Sequence, residues 1–251
     1  MGDLKISIIT ATFNSAGTLE DTLRSVMEQT YPNIEHIIVD GGSTDKTISI
    51  CSKYSHIARL VSEPDKGIYD AMNKGVRLAT GDIIGILNSD DVYADKDVIS
   101  EVMQMFSGNR VLDILYGDLV YVATNDLDKI VRRWRSKPYY PNFFRDANVP
   151  PHPTLFVKSQ VYKDAGLFDL ELRLAADYEF MLRVFTKHQF TSGYIPQLIV
   201  KLRLGGATNK TFGNIVNGNK EILKAWRKNG LNPPVKLMPL RVLKRLIQFI
   251  R

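Results

Sequence analysis

Two adjacent carboxylates, Asp90 and Asp91, follow an apolar run at residues 83–87 that stops abruptly on polar chain. The run is short enough to be a fully buried strand, and in open α/β sheets ligands bind outside the carboxyl ends of strands. Side-by-side carboxylates repel unless a positive charge lies against them. A hard divalent cation that also touches substrate phosphates supplies one. The same residues also read as a solvated Asp-rich turn, or as Asp91 or Asp95 capping a helix that begins near Asp97. A second candidate is Asp177, ahead of Tyr178, Met181, Leu182 and Phe185 at helical spacing. At the amino end of a helix it is either a plain cap or a general base for a hydroxyl. His152, between two prolines, reads as a packed, hydrogen-bonded histidine or as a contact to an acceptor or phosphate.

These residues need elements to hold them. Residues 5–10 read as a first strand, followed by a polar loop at 11–15 and a helix carrying Leu19, Leu23 and Val26; Thr18 and Asp21 resemble a capping box. Residues 34–39 are a second strand, ending on Asp40-Gly-Gly-Ser-Thr-Asp45. That end repeats the first pattern: a carboxylate, glycines that admit a ligand close to backbone, then Ser43 or Asp45 to cap the next helix. A short strand at 58–62 and a helix carrying Ala71, Met72, Gly75 and Val76 lead into the run at 83–87. Strands alternating with helices predict an α/β fold with a parallel, doubly wound sheet over the first half. Beyond it the pattern predicts an amphipathic helix with Val98, Ile99, Val102, Met103 and Phe106. Strands at 114–123 and 129–134 then flank Thr124-Asn-Asp126 as an antiparallel hairpin, and a Pro- and aromatic-rich loop covers 136–153 near the site.

At 251 residues and 44% hydrophobic, the chain can bury a core as one domain, or as one domain with a tail. The single Cys51 excludes an internal disulfide and suits a reducing compartment. The amino end lacks the long apolar region of a signal peptide, and no uncharged apolar run is long enough to span a bilayer. The expectation is a cytoplasmic protein, peripheral on the cytoplasmic face of the inner membrane. The net charge of +6 is unevenly placed: no acid follows Glu221, so residues 222–251 carry +8 and residues 1–221 are left at −2. An acidic body argues against a nucleic-acid partner. The dinucleotide, Walker-A and Gly-x-Ser-x-Gly fingerprints are missing, and His36, His56, His152 and His188 show no zinc spacing.

Taken in order, Ile-Ile-Thr-Ala-Thr-Phe-Asn14, Asp40-Gly-Gly-Ser-Thr-Asp45, Glu63-Pro-Asp-Lys-Gly-Ile-Tyr-Asp-Ala-Met-Asn-Lys-Gly75, Thr80-Gly-Asp, Asn88-Ser-Asp-Asp91 and Ala176-Asp-Tyr-Glu-Phe-Met-Leu-Arg183 resemble the inverting family 2 glycosyltransferases over residues 5 to about 205. The resemblance implies a single GT-A domain with a mixed, mainly parallel central sheet. It also implies a metal-dependent inverting hexosyl- or N-acetylhexosaminyltransferase of bacterial polysaccharide or lipopolysaccharide biosynthesis. Carried over, Ala11, Thr12, Asn14, Asp40, Gly42 and Ser43 would hold base and ribose of the donor, a UDP-sugar by default. Asp65, Lys66 and Asn73 would extend that pocket, and Asp90 would face the ribose or sugar. Asp91 would ligate Mg²⁺ or Mn²⁺ on the diphosphate, Asp177 would deprotonate the acceptor hydroxyl, and His152 and Trp134 would lie on the acceptor side. Three positions depart from many relatives: Gly41 stands where a second Asp is common, Ala176 where an acid precedes the base, and Ala11 where Pro is common. None removes a residue that direct displacement needs.

The expected division is a domain at 1–208, with a nucleotide-sugar half at 1–108 and an acceptor half at 109–208, and a basic helical extension at 209–251. Residues 210–228 suggest a helix with Ile215, Ile222 and Leu223 on one side. After Pro233 and Pro234, Leu240, Leu243, Leu246, Ile247 and Ile250 oppose Arg241, Lys244, Arg245, Gln248 and Arg251. A basic amphipathic helix suits an anionic membrane surface through residues 236–251, and equally suits docking on the domain or pairing in an oligomer. The resemblance favours the membrane, with a lipid-linked glycan as acceptor. Two other readings compete: a sugar-phosphate nucleotidyltransferase, which would want a basic Gly-rich loop before Arg24, and a non-catalytic sugar-nucleotide or membrane-binding module, which would need neither Asp91 nor Asp177.

Overall fold

All seven residues of β1 (Ile6–Thr12) are buried, because both faces of this strand are covered. Its side chains alternate as a strand requires. Ile9 and Ala11 meet Ala71, Met72 and Val76 of helix α3 (Ile68–Leu78). Ile6 and Ile8 join the opposite layer with Val98, Ile99, Val102 and Met103 of α4 (Val98–Gly108). Each such side chain taken from water contributes roughly 1.5–3 kcal/mol. Gly75 lets α3 approach closely: a Cβ there would lie 2.3 Å from Ile9 Cγ2.

The computed structural model describes residues 4–205 and 212–248. Around β1 lie β2 (Ile34–Asp40), β3 (Ile57–Ser62) and β4 (Ile83–Ile86), in the order β3-β2-β1-β4 and all parallel. The connections carry α1 (Leu19–Met27), α2 (Thr47–Cys51) and α3. This is the doubly wound first half that the alternation of strands and helices predicts. Beyond β4 the sheet becomes mixed. The hairpin β6 (Ile114–Ala123) and β7 (Asp126–Trp134) forms as predicted, with β7 starting three residues earlier than its apolar pattern. Between β4 and β6 lies β8 (Phe156–Lys158), antiparallel to both. The strand β9 (Ser192–Arg203) runs parallel to β6 and pairs antiparallel with the two-residue β5 (Val92–Tyr93). The helix α5 (Ser159–Ala165) follows β8, and α6 (Ala176–Leu182) carries Asp177.

The carboxyl-terminal helices α7 (Phe212–Lys228) and α8 (Leu237–Ile247) are not a loose appendage. Trp226 and Leu237 are fully buried in the same core as β1 and α6, and Leu240 packs against it. Of the three readings of α8, as a membrane-surface, domain-docking or oligomer-pairing helix, docking holds for Leu237, Leu240, Arg241 and Lys244. Its later apolar residues Val242, Leu243, Leu246 and Ile247 are 59, 53, 57 and 42% exposed. The expected boundary at 208/209, the start of α7 at 210, and Ile250 and Arg251 of the amphipathic face lie outside the described residues. Among the described residues no helix is long and apolar enough to cross a membrane.

Candidate active site

The carboxyl ends of β1 and β4, the start of α6 and one side of α8 surround a cavity of about 870 Å³. Of the residues singled out from sequence, Ala11, Thr12, Asn14, Asp65, Asp90, Asp91, Trp134, His152 and Asp177 line it. The others do not. Asp40 lies fully buried beneath the floor and accepts hydrogen bonds from the Gly42 and Ser43 amides (3.0 and 2.9 Å), the Ser43 hydroxyl and the Ser62 hydroxyl (2.7 Å). Burial works against its ionisation, but those four donors outweigh it and hold the carboxyl below its ordinary value. Ser43 in turn accepts from the Asn14 amide at 2.7 Å, while Asn14 Oδ1 accepts from the Thr44 amide at 2.9 Å. Asn14 adopts φ +48°, a left-handed conformation that Asn tolerates. Asp40, Gly42 and Ser43 thus shape the loop that presents Asn14. Lys66 is exposed outside the cavity wall. Asn73 is buried and occupied at both ends by Phe168, donating to its carbonyl and accepting from its amide, each at 2.9 Å.

The departure at Gly41 has a physical counterpart. A Cβ at that position would lie 2.5 Å from the Asp65 carboxylate, so Asp65 fills the space that a side chain after Asp40 would take. A second acid therefore stands beside Asp40 even though the local motif lacks one.

Asp91 caps no helix, and Thr18, though it stands at the N-cap position of α1, makes no side-chain capping bond. The Thr18 hydroxyl donates to the Ser89 carbonyl at 2.9 Å, and the Thr22 hydroxyl to the Asp91 carbonyl at 2.8 Å, so α1 fixes the backbone of the acidic loop. Arg203, at the end of β9, donates to the Asp90 carbonyl at 2.9 Å and to the Thr124 carbonyl at 3.1 Å, and pairs with Asp21. Asp91 is 1% exposed. Its Oδ2 accepts from Asn88 Nδ2 at 3.0 Å, while its Oδ1 is buried with no partner. Burial first, and then the neighbouring Asp90, pushes the Asp91 carboxyl well above its ordinary value; burial also raises Asp90, against the pull of Arg203. A cation at Asp91 Oδ1 would remove both penalties. Among the described residues no cluster of three or more His, Cys, Asp or Glu could hold a metal by itself. An ion here would share Asp91 with phosphate oxygens and water, as Mg²⁺ commonly does.

Asp177 faces this acidic loop from α6. It is not the helix cap: that position is Ala175. Asp177 Oδ1 accepts from the Tyr69 hydroxyl at 3.0 Å and from the Tyr178 amide at 2.7 Å. Both bonds fall on one oxygen, which leaves Oδ2 for a ligand. The Tyr69 hydroxyl is pushed well above its ordinary value by burial and then by Asp177, so it remains a donor. The segment before Asp177 is held from the tail. Glu221 on α7 accepts from the amides of Arg173, Leu174 and Ala175 at 3.1, 2.7 and 3.0 Å. Trp226 Nε1 donates to the Tyr178 hydroxyl at 2.9 Å. Arg241 of α8 lies 5.2 Å from the Tyr178 ring centroid, with its Nε buried and unpartnered. His152 packs edge-on against Phe168 at 5.6 Å, and burial lowers its titration despite the Asp177 charge. Trp134 stacks on Tyr121, whose ring also carries the Arg132 guanidinium at 3.6 Å.

Sequence reasoning missed Tyr69, Arg203, Glu221 and Arg241. Tyr69 lies inside a quoted motif and could have been found there; the other three act across separations that no local pattern reports.

The Glycosyl transferase family 2 model matches residues 7–159. An uncharacterized glycosyltransferase of Mycobacterium tuberculosis is 35% identical over 71% of the chain and 68% of its own length. A PGL/p-HBAD biosynthesis glycosyltransferase of Mycobacterium bovis is 31% identical over 87% and 82%. Among solved structures, S. aureus TarS 1-349 in complex with UDP-GlcNAc superposes with a TM-score of 0.68 at 18% identity, over 94% of this chain and 69% of that one. The chain spans 40% of the longer TarS chain. A mannosyltransferase from Pyrobaculum calidifontis in complex with GDP-Man and Mn²⁺ superposes with a TM-score of 0.67 at 17% identity, over 97% and 70%.

Proposed function

The chain belongs to glycosyl transferase family 2 with a GT-A-type α/β fold, and we propose that it transfers a sugar from a nucleotide-diphosphate donor to an acceptor hydroxyl with inversion. The observation that carries the reading is that one cavity is lined both by Asp91, whose buried Oδ1 has no hydrogen-bond partner, and by Asp177, whose two hydrogen bonds both fall on Oδ1. Ala11, Thr12, Asn14 and Asp65 hold the nucleoside, the last beside the loop that Asp40 organises. Asp90 faces the ribose or sugar. Asp91, with its orphaned oxygen, would hold Mg²⁺ or Mn²⁺, whose charge would offset that of the leaving diphosphate. That the Pyrobaculum enzyme was solved with Mn²⁺ supports the choice.

Asp177 takes the proton of the acceptor hydroxyl as that oxygen attacks the anomeric carbon. Tyr69 fixes the base's orientation through Oδ1, so Oδ2 receives the proton. Trp134 and His152 form the acceptor wall. A covalent glycosyl intermediate would call for a second carboxylate placed as nucleophile, and the acids opposite Asp177 are occupied with donor and cation. Residues 1–108 serve as the donor half and 109–208 as the acceptor half, completed by α7 and α8. The acceptor is a lipid-linked glycan, and α8 meets the membrane through its exposed apolar residues and Arg245, since Lys236 and Lys244 are bonded to Asp146 and Asn148.

A thermal-shift screen with UDP, GDP, dTDP and CMP, each with and without Mn²⁺, tests this. One nucleotide should raise the melting temperature in a Mn²⁺-dependent way, by mass action on the folded state. If none does under any condition, the donor assignment fails.

A further inference from the structure

A second cavity, of about 610 Å³, adjoins the first between β7, the 136–149 loop and α8. Arg132, Arg135, Lys137, Arg241, Lys244 and Arg245 line it, and among the described residues no Asp or Glu does. Six cations around one groove, in a chain whose first 221 residues are net acidic, ask for an anion. The groove is not a polar channel: Phe143, Val149, Val242, Leu246 and Ile247 share its walls. Trp134, Arg241 and Arg245 line both cavities, so a molecule lying in the groove can reach the chamber of Asp177. The buried, unpartnered Nε of Arg241 stands at that junction.

We propose that this groove is an acceptor subsite for the phosphate or diphosphate head of a lipid-linked acceptor. The inference rests on the lipid-linked acceptor proposed above. The head is held by Arg135, Lys137, Arg241 and Arg245, and the hydrocarbon leaves along Val242, Leu246 and Ile247 of α8. The accepting hydroxyl is thereby presented to Asp177. A bare anion would use the cations and leave the apolar wall exposed; an uncharged lipid would cover the wall and bring no charge to Arg135, Lys137, Arg241 and Arg245. An amphiphilic anion satisfies both.

Farnesyl diphosphate is the probe, titrated calorimetrically into the full chain with the donor pocket filled by the nucleotide from the screen. Farnesol and inorganic pyrophosphate are the controls. The Arg135→Gln/Lys137→Gln variant alters two exposed side chains of the groove that do not line the first cavity. Farnesyl diphosphate should bind the native protein at least about tenfold more tightly than either control, and the double variant about ten- to thirtyfold more weakly than the native protein. No binding, equal binding by the variant, equal binding of farnesol, or equal binding of inorganic pyrophosphate would each overturn the proposal. Nucleotide binding is read separately. If no nucleotide binds while farnesyl diphosphate still depends on Arg135 and Lys137, the donor reading fails and the groove stands. The opposite pattern removes only the groove.

Discussion

The amino-terminal parallel half and the carboxyl-terminal helices build opposite walls of one cavity by different physics. In the first, the carboxylates sit near strand ends and most of the bonds that hold them come from that same half, Arg203 of β9 being the exception. Strand ends deliver Asp40 and the Asp90-Asp91 pair, and neighbouring loops satisfy their own polar groups, as the Asn14, Ser43 and Thr44 bonds show. In the second, placement is long-range. Asp177 stands where it does because Tyr69 comes from α3, because Glu221 on α7 ties down the three preceding amides, and because Trp226 anchors Tyr178. The donor wall should therefore tolerate changes in the tail, while the base side should not.

Asp177→Asn breaks the comparison most severely. Transfer should fall by about a thousandfold, the usual scale for losing a general base, while nucleotide affinity is unchanged. An assay of product formation beside a nucleotide titration checks both. Glu221→Gln follows, with one amide oxygen left to accept from three backbone amides. Misplacing the base by about an ångström should cost up to about a hundredfold in kcat, with donor KM held. Tyr69→Phe should lower kcat by about tenfold with nucleotide affinity unchanged, because the base loses the hydroxyl that orients it.

What was legible in the sequence divides along the same line. The first half could be read because its strands are continuous apolar runs and its acids sit at their ends. β5, with two residues, and β8, with three, are too short to show a period, and β9 carries Gly193 and Pro196, which read as breaks. Thr18 and Asp177 resembled caps because a cap and a tertiary contact draw on the same residue types; the structure gives both side chains distant or non-capping partners. In α8 the heptad-like pattern showed that one face is basic and the other apolar, but not which face turns inward. Arg241 and Lys244 turn toward the protein, and Val242, Leu243 and Leu246 do not.

A separate effect belongs to the amino-terminal half and leaves the site untouched. Burial opposes ionisation of Glu35, but Ser7, Thr80 and Lys5 hydrogen-bond it and hold it at about 2, against an ordinary 4.5. A depressed carboxyl stabilises the fold above its unfolded value, and that stability, roughly 3 kcal/mol, is lost as pH falls from about 4.5 toward 2. Buried His36, hydrogen-bonded to Thr10 and His56, is lowered to about 3 by burial and then by His56. Its neutral form stabilises the fold above the unfolded value, so some loss should begin below about pH 6.5. Urea unfolding across pH 7 to 3 should show both losses, and Glu35→Gln should remove the one that sets in below about pH 4.5.

The most direct test is calorimetric titration of the Mn²⁺–nucleotide complex into the native protein, Asp91→Asn and Asp177→Asn. Opposite walls with separate tasks require Asp91→Asn to lose the metal-dependent part of the affinity and Asp177→Asn to keep it in full. If Asp177→Asn loses metal-dependent binding while Asp91→Asn retains it, the assignment of donor and base to the two walls is wrong.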